Sequence, residues 1–268
     1  MIRLEQHGPV TRAEFTTGRT RLVGISVSCY LVDGVVVDTA FPDVRRDVRG
    51  WLDECQPRGV FVTHHHEDHA GIVNSVAKRA LPAWIAPETL AALRNVEPIG
   101  FYRQFTWAQM RVLTREVVPF DPAPLIPIHL PGHSTDHHVA WHPERETLFS
   151  GDLFLGVKVR VAHANEQPRV LVQSLRTAAA LRPRLMFDAH RGLVAEPVAA
   201  LSSKADWLEH TIAEIDRLGE AGWSEAAIRR AVLGRDDTTD YFSFGDYSRA
   251  NFVRSVQQTR PVATVAIL

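Results

Sequence analysis

The sequence predicts an α/β fold in four αββα layers: two mixed β-sheets packed face to face, helices on both outer sides, and a small, mostly helical C-terminal extension. Three observations predict it. Short β-branched runs alternate with helical patterns up to about residue 195, hairpin signals occur in both halves of that stretch, and from about residue 196 the pattern turns almost wholly helical.

The elements follow in chain order. Val27–Val32, Asp33-Gly34 and Val35–Val37 read as a hairpin, because Asp-Gly accepts the positive φ of a type I′ turn. Pro42–Cys55 reads as a helix with Val44, Val48, Trp51 and Leu52 on one stripe. Val60–Thr63 is a buried strand, Ala70–Arg79 a helix, Ala83–Ile85 a short strand after Pro82, and 87–94 a helix. His137–Trp141 and Thr147–Ser150 pair around a turn at 142–146, and a helix over 168–181 leads to a strand at Leu185–Phe187. In the extension, helices are expected over 197–218, after an N-cap at Ser224, and over 246–258. Gly219, Gly222 and the run Asp236–Asp240 break it up. The extension serves packing, or substrate gating, or a homodimer contact.

Composition narrows the function classes. A chain of 268 residues, 45% hydrophobic and 23% charged, is an ordinary globular protein. Its formal net charge of −1 supplies no global field for nucleic acid or an anionic membrane, so a small-molecule substrate is expected. The start, Met1–His7, lacks the apolar stretch of a signal peptide, and no run approaches a membrane span, so a cytoplasmic location is expected. Cys29 and Cys55 offer neither a disulfide framework nor a cysteine-rich metal site.

The densest chemistry is Thr63-His64-His65-His66-Glu67-Asp68-His69-Ala70-Gly71, with the spacing His-x-His-x-Asp-His. Neutral imidazole and carboxylate are the donors a zinc-like cation prefers, and such crowding is electrostatically poor without one. In an extended loop, residues two apart point the same way, so His64 and His66 can grip one ion. Asp68 and His69 lie where the chain turns towards a helix and can face a neighbouring ion. The pattern of a strand followed by a polar residue recurs at Asp38, His133, Asp152 and His190. Each alone is an ordinary loop residue; together with the first cluster they point to one site on loops at one edge of the sandwich. His65 and Glu67 should point away from the ions. One of His137 and His138 faces inward, Asp188 bonds a neighbouring loop, and His163 lies on a loop that is either surface or pocket lining.

The set Asp38, His64-x-His66-x-Asp68-His69, His133, Asp152 and His190 resembles the five motifs of the metallo-β-lactamase-fold hydrolase superfamily, over about residues 20–195. Within it, the motifs resemble those of the glyoxalase II-like and β-lactamase-like endoribonuclease branches. The resemblance implies a catalytic domain over 1–195 and an extension over 196–268. It implies that His64, His66 and His133 bind one metal, that Asp68, His69 and His190 bind a second, and that Asp152 bridges the two. Asp38 would orient the ligands. Two divalent ions are implied, zinc first, with manganese or iron also compatible. A hydroxide bridging them would attack the substrate, with Asp68 orienting it and passing its proton to the leaving group.

The substrate implied is a small ester, thioester or lactone. Class B1 β-lactamases place Cys where Asp152 stands, and acyl-homoserine lactonases commonly carry Tyr at the position of Leu155. Glyoxalase II holds glutathione with basic residues for which Lys204 and Arg229-Arg230 are poor substitutes. A phosphodiesterase or endoribonuclease is the first alternative, with Lys158, Arg160 and Arg169 available for one phosphate or carboxylate. The second is a mononuclear-iron persulfide dioxygenase using His64, His133 and Asp152. Between Pro98 and Met110, the residues Phe101, Tyr102, Phe105, Trp107 and Met110 form either an apolar lid over the metals or an amphipathic helix packed on the core.

Overall fold

A computed structural model describes residues 1–235 and 238–259. The first sheet holds β1 (Ile2–His7), β2 (Val10–Phe15), β3 (Val27–Val32), β4 (Val35–Val37), β5 (Gly59–Phe61) and β6 (Ala83–Trp84), side by side in that order. The first four strands are antiparallel, and β5 and β6 continue parallel to β4. Between its strands lie α1 (Gly18–Leu22) and α2 (Arg45–Cys55), and around β6 lie α3 (Val73–Lys78), α4 (Pro87–Arg94) and α5 (Phe101–Trp107).

The second sheet uses β7 (Ile126–His129), β8 (His138–His142) and β9 (Thr147–Phe149). After a short β10 (Ala162–His163) and α6 (Pro168–Ala180), it is completed by β11 (Leu185–Asp188) and β12 (Gly192–Val194), in the spatial order β12-β11-β9-β8-β7. Then come α7 (Pro197–Glu220), α8 (Glu225–Val232), α9 (Thr238–Phe242), β13 (Tyr247–Ser248), which pairs with β10, and α10 (Arg249–Gln258).

Alternation along the strands builds the layers. Val35 and Val37 face the second sheet with Tyr30, Phe61, Phe149 and Phe187, while Val36 and Val60 face the helix side with Val48, Trp51 and Val76. On the opposite side, Leu148 and Met186 share a cluster with Leu171 and Leu175 of α6, Leu201, Ala205 and Leu208 of α7, and Phe252 and Val253 of α10. This is the αββα sandwich expected from the sequence.

Most elements fall where the pattern put them. The Asp33-Gly34 turn has φ of 46° and 79°, the helix over 87–94 is α4, and the Ser224 hydroxyl accepts from the Ala227 amide. Three differences have local causes. The hairpin β1–β2 was not expected, because Arg3, Glu5, Arg12 and Glu14 dilute its apolar residues and β1 is an edge strand. The strand β5 stops at Phe61, since the Thr63 amide leaves the ladder to donate to Asp38 (2.8 Å). The helix expected from Ala70 starts at Val73. Before it, Gly71 donates to the Ala40 carbonyl (2.9 Å), and a Cβ at Gly71 would sit 2.2 Å from the Glu67 carbonyl oxygen. The breaks anticipated at Asp236 and Asp237, and the chain after Thr259, lie outside the described residues. No helix among the described residues is long and apolar enough to cross a membrane.

The two sheets are also tied through their hairpin turns. Asp33, in the β3–β4 turn, accepts from Arg145 (2.8 and 2.9 Å) and bonds His142 (2.8 Å) of the second hairpin. The Arg145 hydrogen bonds, opposed by partial burial and helped by His142, hold the Asp33 carboxyl down at about 2. A carboxyl whose folded value is depressed stabilises the fold above its unfolded value near 4 and loses that contribution as the pH falls towards 2. Asp33→Asn is therefore expected to lower stability by about 0.2–1 kcal/mol at neutral pH. The wild-type advantage in denaturant midpoint should shrink steadily as the pH falls from about 4 through 2; an unchanged difference at acid pH would refute this tie.

Candidate metal centre

Two parallel strand pairs, β4 with β5 and β9 with β11, end on the same side of the sandwich. Open α/β sheets bind ligands beyond such carboxyl ends. Asp38 follows β4, His64–His69 follow β5, Asp152 follows β9 and His190 follows β11. His133 joins them from the loop between β7 and β8.

The seven side chains form two groups sharing one carboxylate. His64, His66, His133 and Asp152 make the first; Asp68, His69, His190 and Asp152 make the second, with ligand-type atoms within 4.8 Å of one another in each. In the first, the His66 Nδ1 lies 2.9 Å from His64 Nε2 and 3.0 Å from His133 Nε2, and His133 Nε2 is 3.3 Å from Asp152 Oδ2. In the second, Asp152 Oδ1 is 3.2 Å from His69 Nε2 and 3.3 Å from His190 Nε2, and Asp68 Oδ2 is 3.7 and 3.6 Å from the same nitrogens.

These separations fit cations. Donors bound at about 2.0–2.2 Å to one tetrahedral ion lie about 3.3–3.6 Å apart. His69 Nε2 and Asp152 Oδ1 are buried and have no hydrogen-bond partner, although they are close, so their lone pairs converge on a common point and not on each other.

Supporting bonds fix the tautomers. His190 Nδ1 donates to the Ser26 carbonyl (2.8 Å) and His69 Nδ1 donates to Asp38 (2.8 Å), which leaves both Nε2 lone pairs turned inward. The Thr63 hydroxyl reaches Asp38 (3.0 Å) and lies 3.0 Å from His64 Nδ1, extending the same chain to a third imidazole. Asp38 performs this at φ 66° and Ala40 follows at 52°, backbone strain of about 1–3 kcal/mol each that the surrounding bonds must hold.

Electrostatics sets His64 and His66 apart from the imidazoles beside the carboxylates, among them His133, which Asp152 and Glu166 raise against its burial. Burial, followed by the crowd of neighbouring imidazoles, pushes His64 and His66 well below the usual histidine range, so both are neutral donors. Against the burial of their rings, the Asp152 and Asp68 carboxylates hold His69 well above it and His190 at about 9. The second group thus draws positive charge.

Two pillars of the site were not foreseen as such. Asp136, buried, accepts from the His65 amide (2.9 Å), Ser134 (2.7 Å) and Thr89 (2.8 Å) and bonds the His65 ring, anchoring the ligand loop to α4. Despite burial, the His65, Ser134 and Thr89 bonds hold its carboxyl far below the usual range. His137 is the inward-facing member of its pair: its Nε2 accepts from the Asp152 amide (3.1 Å), and burial with the nearby His133 lowers it to about 3. Glu67 turns away from the ligands as expected, but into a buried pair with Arg103 of α5 (2.6 Å at Nε). Asp188 accepts from the amides of His190 and Arg191.

The site opens into a cavity of about 360 Å³ lined by His66, Asp68, His133, Asp152 and His190 on its floor. Tyr102 and Trp107 of the 98–110 segment line it; Phe101 and Phe105 do not, stacking instead on each other, with Phe101 65% exposed. That segment carries the helix α5, bound through Arg103. His163, half-buried against Tyr247, lines a separate, more polar cavity that also reaches His66 and His133. Lys158 and Arg160 are exposed, and Arg169 is engaged by Asp216 (2.7 Å).

A metallo-beta-lactamase family protein of Thermus thermophilus has the same fold, with TM-score 0.64 and 17% identity over 87% of this chain and 89% of that one. The DIM-1 metallo-beta-lactamase gives TM-score 0.60 and 16% identity over 78% of this chain and 97% of that one. The chain is 25% identical to the Beta-lactamase-like protein 2 homolog of Drosophila melanogaster over 72% of its own length and 70% of the relative's. It is 30% identical to an Atrochrysone carboxyl ACP thioesterase of Aspergillus fumigatus, over 50% of this chain and only 38% of that protein. Residues 22–190, the stretch carrying Asp38 and all seven clustered side chains, match the description of one family, and the chain belongs to the metallo-beta-lactamase superfamily.

Proposed function

We propose that this protein is a metal-dependent hydrolase that holds two divalent cations, zinc first, and cleaves a small ester, thioester or lactone. The observation that carries this reading is the pair of His/Asp groups sharing Asp152 on the floor of a largely apolar cavity. Two cations so placed would activate water near neutral pH and polarise the scissile carbonyl. The chain's own residues supply the rest. His64 and His66 present neutral nitrogens, His133 joins them beside Asp152, Asp152 faces both groups, and Asp68 lines the cavity where it can hold the proton of the attacking water and return it to the leaving group. The apolar wall favours a substrate with an apolar portion, and the fungal relatives named as thioesterases favour the thioester among the three classes. A wall without a basic stripe weighs against RNA. Two complete groups weigh against a single-iron dioxygenase.

Elemental analysis of the purified protein, paired with turnover of thioester, ester, lactone and phosphodiester panels, tests this. About two zinc or manganese ions per chain with carboxylic-ester-type turnover is expected; one iron per chain with oxygen consumption on persulfides would overturn it. Asp68→Asn should keep much of the metal yet lose about 10²–10⁴-fold in kcat. Near-normal turnover in that variant would remove Asp68 from the proton-transfer role.

A further inference from the structure

Lys204 is a charged side chain in an apolar wall. It lies on α7, is 3% exposed, and lines the same cavity as the clustered histidines, beside Leu155, Trp207, Leu208 and Phe252. Its ammonium sits 5.5 Å from the Phe154 ring centre, and among the described residues it makes no hydrogen bond or ion pair. Lysines are almost never this buried unless paired, because an unpaired ammonium in apolar surroundings is costly. Burial lowers its pKa to about 8, with the more distant Glu166 and Asp152 acting in the opposite sense and Arg191 in the same one.

Resting on the ester-hydrolase reading above, we propose that Lys204 recognises a carboxylate on the acyl portion of the substrate, which enters the apolar cavity while its scissile carbonyl lies over the clustered histidines and aspartates. The class of substrate is then an acyl ester or thioester bearing a second, distal carboxylate. Although Arg191 also lines the cavity, the neighbours of the Lys204 ammonium are apolar, so its single charge matches a monoanion, and a phosphate dianion would bring a further charge among them. The apolar neighbours of Lys204 suit the methylene chain between the two polar ends, and their low polarity strengthens the charge-assisted bond at its tip. Lys204 is thus a selectivity residue.

The test is calorimetric titration of the metal-loaded full chain with dicarboxylates from succinate through suberate and with the monocarboxylates of equal length. At one length the wild type should bind the dicarboxylate about tenfold or more tighter than its monocarboxylate counterpart. Lys204→Met, a nearly volume-conserving change, should abolish that preference while keeping the monocarboxylate affinity, and should raise Tm because a buried charge is removed. Lys204→Arg should retain part of the preference, and it serves if the methionine variant folds poorly. Absence of a preference at every length, or its survival in Lys204→Met, would overturn the proposal. Failure of the hydrolase reading looks different: no thioester or ester would turn over, yet the dicarboxylate preference would remain.

Discussion

Asp152→Ala is expected to abolish activity more completely than loss of any single histidine, lowering kcat/KM by well over about 10²-fold, a size that even supporting residues around a metal reach. The reason is geometric. Asp152 is the one residue common to both groups: Oδ2 faces His133 at 3.3 Å, and Oδ1 faces His69 at 3.2 Å and His190 at 3.3 Å. Removing a histidine depletes one group; removing this carboxylate depletes both and takes away a negative charge that would favour cations at either. Asp152→Asn keeps the volume but not the charge and should fall between wild type and alanine. Metal content by elemental analysis should drop with turnover. Two equivalents retained, with turnover within a few-fold of wild type, would show that the two groups do not depend on their shared member.

The largest effect on stability is expected at Glu67 and Arg103. Both are buried, and the guanidinium engages both carboxylate oxygens. Burial raises the Glu67 carboxyl pKa, with Arg103 opposing it, and the pair stands only because each partner compensates the other. Glu67→Gln leaves a buried guanidinium without its counter-charge, which costs about 3–5 kcal/mol. The double change Glu67→Leu with Arg103→Met should recover most of that loss, since an apolar pair of similar volume avoids the desolvation altogether. The pair also fastens α5, which brings Tyr102 and Trp107 to the cavity, against the ligand loop. KM should therefore rise in the single variant while metal content holds. Urea midpoints for wild type, Glu67→Gln and the double variant decide it: a Glu67→Gln midpoint equal to wild type would mean the pair contributes nothing.

What could be read in the chain and what could not divide along a physical line. His64, His66, Asp68 and His69 are legible because their spacing is local, and Asp38, Asp152 and His190 because each ends a strand whose apolar pattern is also local. Glu67–Arg103 and His65–Asp136 are not legible: their partners stand 36 and 71 positions apart, and only closure of the fold makes either pair visible. Lys204 shows the same limit. In sequence it is one basic residue of a helix, and its meaning depends on α7 turning that position towards the cavity. Of the four aromatics in the 98–110 segment, Tyr102 and Trp107 line the cavity while Phe101 and Phe105 stack on each other, a division that only the folded helix shows. The hairpin β1–β2 escaped because an edge strand with one solvated face carries little apolar signal.

The cavity is built by two stretches of chain. Its floor comes from strand ends before residue 191, while Lys204, Trp207, Leu208, Tyr247 and Phe252 arrive from the helices and strand that follow. Reactivity is therefore written on the floor alone, whereas recognition draws on Tyr102, Trp107 and Leu155 of the first stretch and on Lys204 and its neighbours of the second. Drift or recombination in the later segment can retune what the site accepts without disturbing a single side chain of the floor, so proteins that share this floor need share no substrate.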